Sequence, residues 1–391
     1  MRVAEDDAMP VHSLRPITAA NQRVIDNIEN ILSDIITAIE VSSDSSPVIT
    51  LRRISAIVPY FDEADPACMR WHVEDREVRY HFPGKTKEEA WRFACVGRIL
   101  TEIYGAIKNG MTIANVSRDI YYHDPDLFKQ QETVDRYIDD IAHTFQVTRS
   151  DLNVASSPKG LMIGLVTAND KSHTTLVPDD LATEHGCADI SHLEWILVVE
   201  KEATFKSLAE REYHQSPIVG PGLLVTAKGY PDLSTRRFLR IILDRSKGAV
   251  PIFGLFDWDP DGIQIMKCYR YGSRATAQEY HCNLPEMEWI GVKAEDVVDL
   301  GDIDDTSMIL SMRDRALALS MLTNREWRDR SGTVLPGLDR GLDELRRMLM
   351  LNRKAEIQVL DEGSRGTEHW LTAHLIEQLL AHNGGDDMLL V

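Results

Sequence analysis

The sequence predicts a multi-domain α/β protein, in which a winged helix-turn-helix domain precedes a domain built on a parallel sheet, with further helices at the C-terminus. Two observations carry this prediction. From about residue 86 to 166 the order is helix, short helix, helix and two short strands, as in a winged helix-turn-helix. From about residue 190, apolar strands alternate with helices, which is typical of a parallel sheet covered on both faces. We predict three regions: the N-terminal helix and linker at 1–47, the winged-helix domain at 48–185, and the parallel-sheet domain with its C-terminal helices at 186–391.

Composition is that of a globular protein with two or three domains, since 43% of the 391 residues are hydrophobic and 27% are charged. No apolar run approaches the roughly 18 residues of a membrane span. The five cysteines are scattered and include no C-x-x-C pair, which favours reduced thiols and argues against a disulfide or zinc framework. We therefore expect an intracellular protein without disulfides or membrane contact.

The first predicted element is an amphipathic helix at 21–40, followed by a flexible Ser-rich linker at 41–47. Its apolar residues recur every three or four positions. This helix could fold back onto its own domain or dock on another protein chain. Two strands are then predicted within 48–57 and 69–82. Thr86 and Glu89 have the spacing of a capping box at the start of the next helix.

A short helical segment after Gly110 contains Arg118 and two adjacent tyrosines, Tyr121 and Tyr122. One aromatic ring filling the core and the other lying partly exposed would explain the pair without any chemistry. A tyrosine becomes a candidate nucleophile only if the chain also supplies a reaction partner and an activating charge. An amphipathic helix over 131–147 follows. Residues 152–166 are predicted as two strands around a turn at Ser156–Gly160.

Three carboxylates come at the ends of strands in the second domain. Glu200 ends one apolar strand, Asp257 ends another, and Asp259 lies two residues further on. Because ligands of parallel sheets bind beyond the carboxyl ends of the strands, we expect these side chains to converge. Oxygen ligands of this kind suit Mg²⁺, with Mn²⁺ as the alternative ion. A helix-capping role for an aspartate is the simpler alternative.

Other sequence motifs give weaker evidence for a metal site than these three carboxylates do. An EF-hand loop needs a glutamate six residues after its glycine, and Cys268 occupies that position after Gly262. The pairs His185 with Cys187 and His281 with Cys282 could ligate a metal, although most such pairs have no such role.

The net charge of −19 argues against coating nucleic acid by bulk attraction. A local groove lined by basic residues is still compatible with this net charge. Residues 228–245 contain five basic residues against two acidic ones, and residues 266–274 contain three against none. Runs of this kind also occur on solvated helix faces.

Several ordered blocks resemble the meiotic double-strand-break transesterase (the sporulation-eleven protein) and its relative, the A subunit of topoisomerase VI. The blocks include "RDIYY", "SSPKGLMIG", "VEKEATF", "KGYPDLSTRRFL" and "DWDPDGIQIM". The resemblance runs from about residue 80 to the C-terminus. It implies a winged-helix domain joined to a Toprim domain, the Rossmann-like metal-binding fold of topoisomerases and primases.

The resemblance also implies site residues. Tyr122 would be the nucleophile and Arg118 its active-site arginine, while Glu200, Asp257 and Asp259 would bind the metal. Tyr121 would then be a packing residue. Residues expected near DNA are Lys159, Lys228 and Arg236. Two departures from the family pattern are Trp258, larger than the small residue expected between the aspartates, and the additional carboxylate of Asp261.

The expected function is Mg²⁺-dependent formation of meiotic double-strand breaks through a 5′-phosphotyrosyl intermediate, in the nucleus and on chromosomes. The family implies action on double-stranded DNA as a homodimer, with the tyrosine of one protomer entering the metal site of the other. It also implies a topoisomerase VI B-like subunit, docked on the 21–40 helix, and accessory meiotic proteins. The nearest alternative is a topoisomerase VI A-type chain that reseals DNA. Two others are a Toprim nuclease or primase that does not use the tyrosine, and a DNA-binding scaffold with an inactive site.

Overall fold

A computed structural model describes residues 17–41, 46–62, 65–110, 113–114, 116–155, 159–164, 173–178, 190–273, 279, 281–301, 303–329, 331–362 and 366–382. Contacts divide the chain into two compact units. The first consists of Met1–Ala56 with Glu74–Ser157, and the second of Ile57–Val73 with Pro158–Val391. The domain boundaries predicted after residues 47 and 185 remain predictions.

The first unit is mainly helical. Helix α1 (Ala19–Val41) precedes strands β1 (Val48–Asp62) and β2 (Asp65–His81), which pair as a two-stranded sheet that extends beyond this unit. The remaining elements are α2 (Lys87–Lys108), β3 (Ile113–Ala114), α3 (Val116–His123), α4 (Pro125–Phe128), α5 (Gln131–Phe145) and β4 (Val154–Ala155). The Thr86 hydroxyl accepts from the Glu89 backbone N–H at 3.2 Å, so the predicted cap of α2 is confirmed.

The core of this unit forms where α1, α2 and α5 meet. Each helix contributes residues at spacings of three and four, such as Ile25 and Ile28 from α1 and Ile99 and Ile103 from α2. These positions lie on one face of a helix, and burying them removes apolar surface from water. In the C-terminal half of α1, Ile31 and Ile35 still pack against this core, whereas the apolar residues Leu32, Ile36 and Ile39 are exposed.

The predicted hairpin at 152–166 is wrong in its pairing. Strand β4 pairs in parallel with β3, whereas β5 (Leu161–Ile163) lies in the sheet of the second unit. There it runs antiparallel to both β6 (Thr175–Leu176) and the strand at Gly222–Thr226. Helices α2, α3 and α5 follow one another in the predicted order, but β4 and β5 do not pair with each other as the predicted wing.

The second unit is built on a six-stranded sheet to which β5 and β6 belong. Its further elements include β7 (Trp195–Val199), α6 (Glu202–Glu210), β8 (Gly222–Thr226), α7 (Leu233–Ser246), β9 (Ile252–Leu255), α8 (Pro260–Tyr271) and β10 (Glu288–Gly291). The strand order across the sheet is β10-β9-β7-β8-β5-β6. Strands β8, β7, β9 and β10 are parallel. Every residue of β7, β8 and β9 is buried, so both faces of the sheet are covered.

Further helices and two short strands complete the second unit. They comprise α9 (Ala294–Asp299), α10 (Ile303–Thr306), β11 (Met308–Ile309), α11 (Met312–Thr323), α12 (Asp339–Leu351), β12 (Arg353–Lys354), α13 (Val359–Glu362) and α14 (Gly366–His382). Within the described parts of the chain, no helix has the length and apolarity to span a bilayer.

Candidate active site

The topology of the sheet creates a crevice between β7 and β9. The chain leaves β7 through α6 towards β8 on one side, and it leaves β9 through α8 towards β10 on the other side. A point at which connections diverge in this way is where open α/β sheets bind ligands. Glu200 directly follows β7, and Asp257 lies two residues past the end of β9. The two carboxylates therefore meet where a ligand site is expected.

Main-chain hydrogen bonds fix these carboxylates. The Asp257 backbone N–H donates to Glu200 Oε2 at 2.9 Å, and the Ile357 backbone N–H donates to Asp257 Oδ1 at 2.8 Å. Lys201 Nζ lies 3.2 Å from Asp257 Oδ2 and 2.6 Å from a carboxylate oxygen of Glu356. The donors at Lys201 and Ile357 could not be identified from sequence patterns, since the second lies 100 residues from Asp257.

Asp259 has a second role as the cap of α8. Its Oδ1 accepts from the Gly262 backbone N–H at 2.6 Å, so the capping alternative is correct for this residue. Gly262 must lack a side chain, because a Cβ there would lie 2.4 Å from the Asp257 carbonyl oxygen. The first turn of α8 thus packs against the end of β9 and holds Asp259 beside Asp257.

Burial and mutual repulsion disfavour the charged forms of all three carboxylates. Burial, and then the neighbouring Asp257, raise the pKa of Glu200 to about 8. Burial raises the pKa of Asp259 to about 6, with Asp257 adding to the effect, and burial also raises the pKa of Asp257. Lys201 offsets only part of the charge. A hard divalent cation would neutralise these carboxylates and take oxygen ligands. As placed, the three side chains do not bring one oxygen each within 4.8 Å of one another, so a bound ion would have to draw them closer.

Trp258 points away from this cluster. Successive side chains of an extended segment alternate in direction, so Asp257 and Asp259 share one side and the indole takes the other. The ring is fully buried and its Nε1–H donates to Glu344 Oε2 at 2.7 Å. The backbone N–H of Ala355 donates to the Trp258 carbonyl at 3.0 Å. The large residue is thus accommodated in the core without blocking the carboxylates.

Asp261 is engaged by other groups. Arg313 donates to it at 2.6 and 3.2 Å, and the Tyr230 hydroxyl donates to it at 3.3 Å. These contacts hold the carboxylate on the exposed side of the first turn of α8. They give Asp261 a role in positioning Arg313, separate from the three clustered carboxylates.

The basic residues expected near DNA fall into two groups. Lys159 and Lys228 are exposed, and Lys228 follows β8 at the same edge of the sheet as Glu200. Arg236 is only 1% exposed, and its Nη2 donates to Asn283 Oδ1 at 2.5 Å. This burial argues against the expected direct contact of Arg236 with DNA. It favours a structural role in joining α7 to the segment before β10.

The tyrosine pair lies on α3 in the first unit. Tyr121 packs against the core of that unit, whereas Tyr122 is 67% exposed, and their ring centroids are 5.4 Å apart. Arg118 lies four residues before Tyr122 on the same helix. Positions at this spacing share one side of a helix. The backbone of α3 therefore places residues 118 and 122 on one face.

Comparisons with known proteins match two regions of the chain. A family model for the Toprim domain shared by the A subunit of topoisomerase 6 and Spo11 matches residues 195–379, and a model described as type IIB DNA topoisomerase matches residues 91–154. The first match contains the three carboxylates and the second contains Tyr122.

Individual relatives are similar over most of the chain. Meiotic recombination protein rec12 of Schizosaccharomyces pombe is 36% identical, over 68% of this chain and 72% of its own length. Meiotic recombination protein SPO11 of Homo sapiens is 32% identical, over 78% of this chain and 76% of its own length. The A3 subunit of DNA topoisomerase 6 from Oryza sativa subsp. indica is 30% identical, over 67% of this chain and 58% of its own length.

Proposed function

The chain belongs to the family of Spo11 and the topoisomerase 6 A subunit, and on that basis we propose that it is a DNA-cleaving transesterase that makes meiotic double-strand breaks. The observation that carries the proposal is the cluster of Glu200, Asp257 and Asp259 at the switch point of the sheet, in a chain that also presents Tyr122 on an exposed helix face. Relatives named as meiotic recombination proteins support the biological role.

The proposed reaction exchanges one phosphodiester for another. The Tyr122 oxygen attacks a backbone phosphorus and the bond from phosphorus to the 3′ oxygen breaks. The phenol gives up its proton and the departing 3′ oxygen takes one up, so no net proton is consumed. The products are a free 3′ hydroxyl and a 5′ phosphate esterified to Tyr122. No water or nucleotide is consumed. Arg118, one turn earlier on α3, would place its guanidinium fork on the non-bridging phosphate oxygens.

Glu200, Asp257 and Asp259 would hold Mg²⁺, or Mn²⁺ in its place. The ion supplies charge stabilisation for the phosphate and for the departing 3′ oxygen. The protein's part is to keep the three oxygen ligands in place through Lys201, Gly262 and the Ile357 backbone N–H.

We further propose that the enzyme acts as a homodimer on double-stranded DNA in the nucleus, with one composite site for each strand. The tyrosine and the carboxylates belong to different units of the chain, which permits a site shared between protomers. Lys159 and Lys228 are the candidate DNA contacts, since both are exposed.

The exposed C-terminal half of α1 supports docking of a topoisomerase VI B-like subunit. Leu32, Ile36 and Ile39 are spaced by four and three residues, so they form an apolar stripe on one face. Accessory meiotic proteins would join the same complex. Replacing Ile36 with Glu should abolish copurification of the B-like partner, whereas replacing the exposed Asn30 with Glu should preserve it.

A topoisomerase VI A-type chain that cleaves and reseals DNA is the second candidate, favoured by the similarity to a rice topoisomerase 6 protein. The cutting chemistry is the same in both cases. Copurification with an ATP-hydrolysing partner and relaxation of supercoiled DNA would favour this candidate.

Covalent trapping tests the proposed chemistry. The protein, with any copurifying partner, is incubated with labelled duplex DNA and Mg²⁺ and then denatured. Wild type and Tyr121→Phe should both yield protein joined to DNA, whereas Tyr122→Phe should yield none. Cutting that persists in Tyr122→Phe without adducts would instead indicate a nuclease that uses water. DNA binding that is indifferent to Tyr122 and Mg²⁺, without any cutting, would indicate a scaffold.

A further inference from the structure

A second cluster of possible metal ligands lies between α8 and β10, in a segment that the proposed cleavage chemistry does not use. Glu279, His281 and Cys282 each offer one ligand atom, and these atoms all lie within 4.8 Å of one another. The other predicted pair, His185 with Cys187, lies outside the described residues. The structure therefore adds a glutamate to the pair of His281 and Cys282, a residue that the sequence pattern did not connect with them.

The carboxylate of Glu279 is the part of this cluster that most needs a partner. The residue is 4% exposed, and its Oε2 is buried and makes no hydrogen bond with the described residues. Arg237 Nη2 lies 3.9 Å from that oxygen, which is ion-pair range but beyond hydrogen-bond distance. A buried carboxylate oxygen without a hydrogen bond is costly, so a bound cation would stabilise it.

The geometry and the chemistry of the three groups suit one metal in particular. Nitrogen, sulfur and carboxylate oxygen are the usual ligands of zinc, at about 2.0 to 2.3 Å from the ion. Two ligands of a tetrahedral zinc are then roughly 3.3 to 3.8 Å apart. His281 Nε2 already lies 3.4 Å from Glu279 Oε2. The two remaining separations are at most 4.8 Å, so binding of one ion requires shifts of about 1 Å. The half-exposed His281 ring can move towards the ion, and the separation between Glu279 and Cys282 closes by movement of those two side chains.

We propose that Glu279, His281 and Cys282 form a zinc site that cross-links the beginning of the segment preceding β10. Water would take the fourth position, which solvent reaches past His281. The segment is already tied to α7 further along, where Asn283 accepts from Arg236 and Glu286 accepts from Arg240 at 2.8 Å. Zinc would fix the beginning of the same segment. The site is independent of DNA cleavage, because none of its ligands belongs to the carboxylate cluster.

Metal content tests the proposal directly. The full chain, without a histidine tag and with any copurifying partner, is stripped with a chelator, loaded with Zn²⁺ and freed of excess metal by gel filtration. Wild type should retain about one zinc per chain. His281→Ala and Cys282→Ser should lose it, while His382→Ala, which removes an exposed histidine elsewhere, should keep it.

Three further results distinguish this site from other metal sites. Co²⁺ loaded in place of zinc should show a thiolate-to-cobalt absorption band in wild type that is absent in Cys282→Ser. Asp259→Asn should keep its zinc, because it alters only the carboxylate cluster. Zinc should raise the melting temperature of wild type and leave that of His281→Ala unchanged. Equal zinc retention by wild type, His281→Ala and Cys282→Ser, or loss of zinc in Asp259→Asn, would overturn the proposal.

Discussion

Asp257 is held in place by two neighbouring groups and also orients Glu200. One oxygen accepts from the Ile357 backbone N–H, and the other lies 3.2 Å from the Lys201 ammonium. Its own backbone N–H orients Glu200. The carboxylate is therefore fixed in position before any ion binds. Such pre-organisation lowers the cost of assembling a metal site around a phosphate.

Replacing Asp257 with Asn should remove a ligand charge while keeping the shape of the side chain. We expect DNA cleavage to fall on the order of 100-fold or more, because the metal supplies several kcal/mol of charge stabilisation. The rate of adduct formation at saturating Mg²⁺ measures this. Asp261→Asn is the matched control, since Asp261 pairs with Arg313 and Tyr230, and it should retain most activity. Equal loss in both variants would contradict the assignment of ligands.

His214 predicts a pH dependence of stability. Burial lowers its pKa below the usual 6.5, so the folded protein holds the imidazole neutral while the unfolded chain takes up a proton. Through this histidine the unfolded state binds more protons below about pH 6.5, so the contribution of His214 to stability should fall as the pH drops through that value. The raised pKa values of Glu200 and Asp259 act in the opposite direction.

The melting temperature at about pH 7.5 and about pH 5.5 measures this effect. In His214→Phe, which cannot take up a proton there, the melting temperature at the lower pH, relative to that at the higher pH, should be higher than in wild type. His382→Phe changes an exposed histidine and should leave this difference as it is in wild type. The same difference in His214→Phe as in wild type would show that His214 does not contribute to the pH dependence.

Among the elements, α8 is the one on which the site depends most. Its cap, Asp259, is also a candidate ligand, and its third residue must be glycine to approach the Asp257 carbonyl. The helix therefore fixes the separation of the two aspartates. Any change that moves its first turn should affect both stability and metal binding.

Gly262→Ala tests this dependence. The added Cβ would lie 2.4 Å from the Asp257 carbonyl oxygen, so the turn must shift, at a cost of about 1 to 3 kcal/mol in stability. Cleavage should fall as well. Gly105→Ala is the control, because this glycine lies in α2 with nothing within 4 Å of an added Cβ, and it should stabilise by about 0.5 to 1 kcal/mol. Thermal unfolding measures both, and a Gly262→Ala protein as stable and active as wild type would refute the account of α8.

The elements also show what the sequence can and cannot reveal. Apolar runs and capping residues predict β7, β8, β9 and the helices between them, because each of these signals depends only on residues close together in the sequence. The partner of a strand depends on residues that are far away in the sequence. The three residues of β5 pair with β8, some 60 positions later, and nothing in their pattern distinguishes that partner from β4. The same limit applies to the site, where the carboxylates were predictable from strand ends but Lys201, Ile357 and Glu344 were not.

At the scale of the whole molecule, the chain consists of two units that each carry half of the proposed chemistry. Tyr122 belongs to the first unit, and Glu200, Asp257 and Asp259 belong to the second. A homodimer with shared sites would have one composite site for each DNA strand. This arrangement predicts a specific behaviour of mixed dimers.

Mixing Tyr122→Phe with Asp257→Asn should restore cutting of one strand only. In a mixed dimer, the intact tyrosine of the Asp257→Asn protomer meets the intact carboxylates of its partner, while the other composite site lacks both. Co-expressed variants, assayed on supercoiled plasmid, should therefore nick the DNA without linearising it. Each variant expressed alone should be inactive. A mixture as inactive as its components would indicate that each protomer uses its own carboxylates.

The most direct measurement is to identify the residue that carries the DNA. The covalent complex formed with Mg²⁺ is digested with nuclease and protease, and the peptide that retains a nucleotide is sequenced by mass spectrometry. The proposal predicts a nucleotide joined through its 5′ phosphate to Tyr122, within the peptide that spans α3. A nucleotide attached to Tyr121 or to any other residue, or joined through its 3′ phosphate, would contradict it.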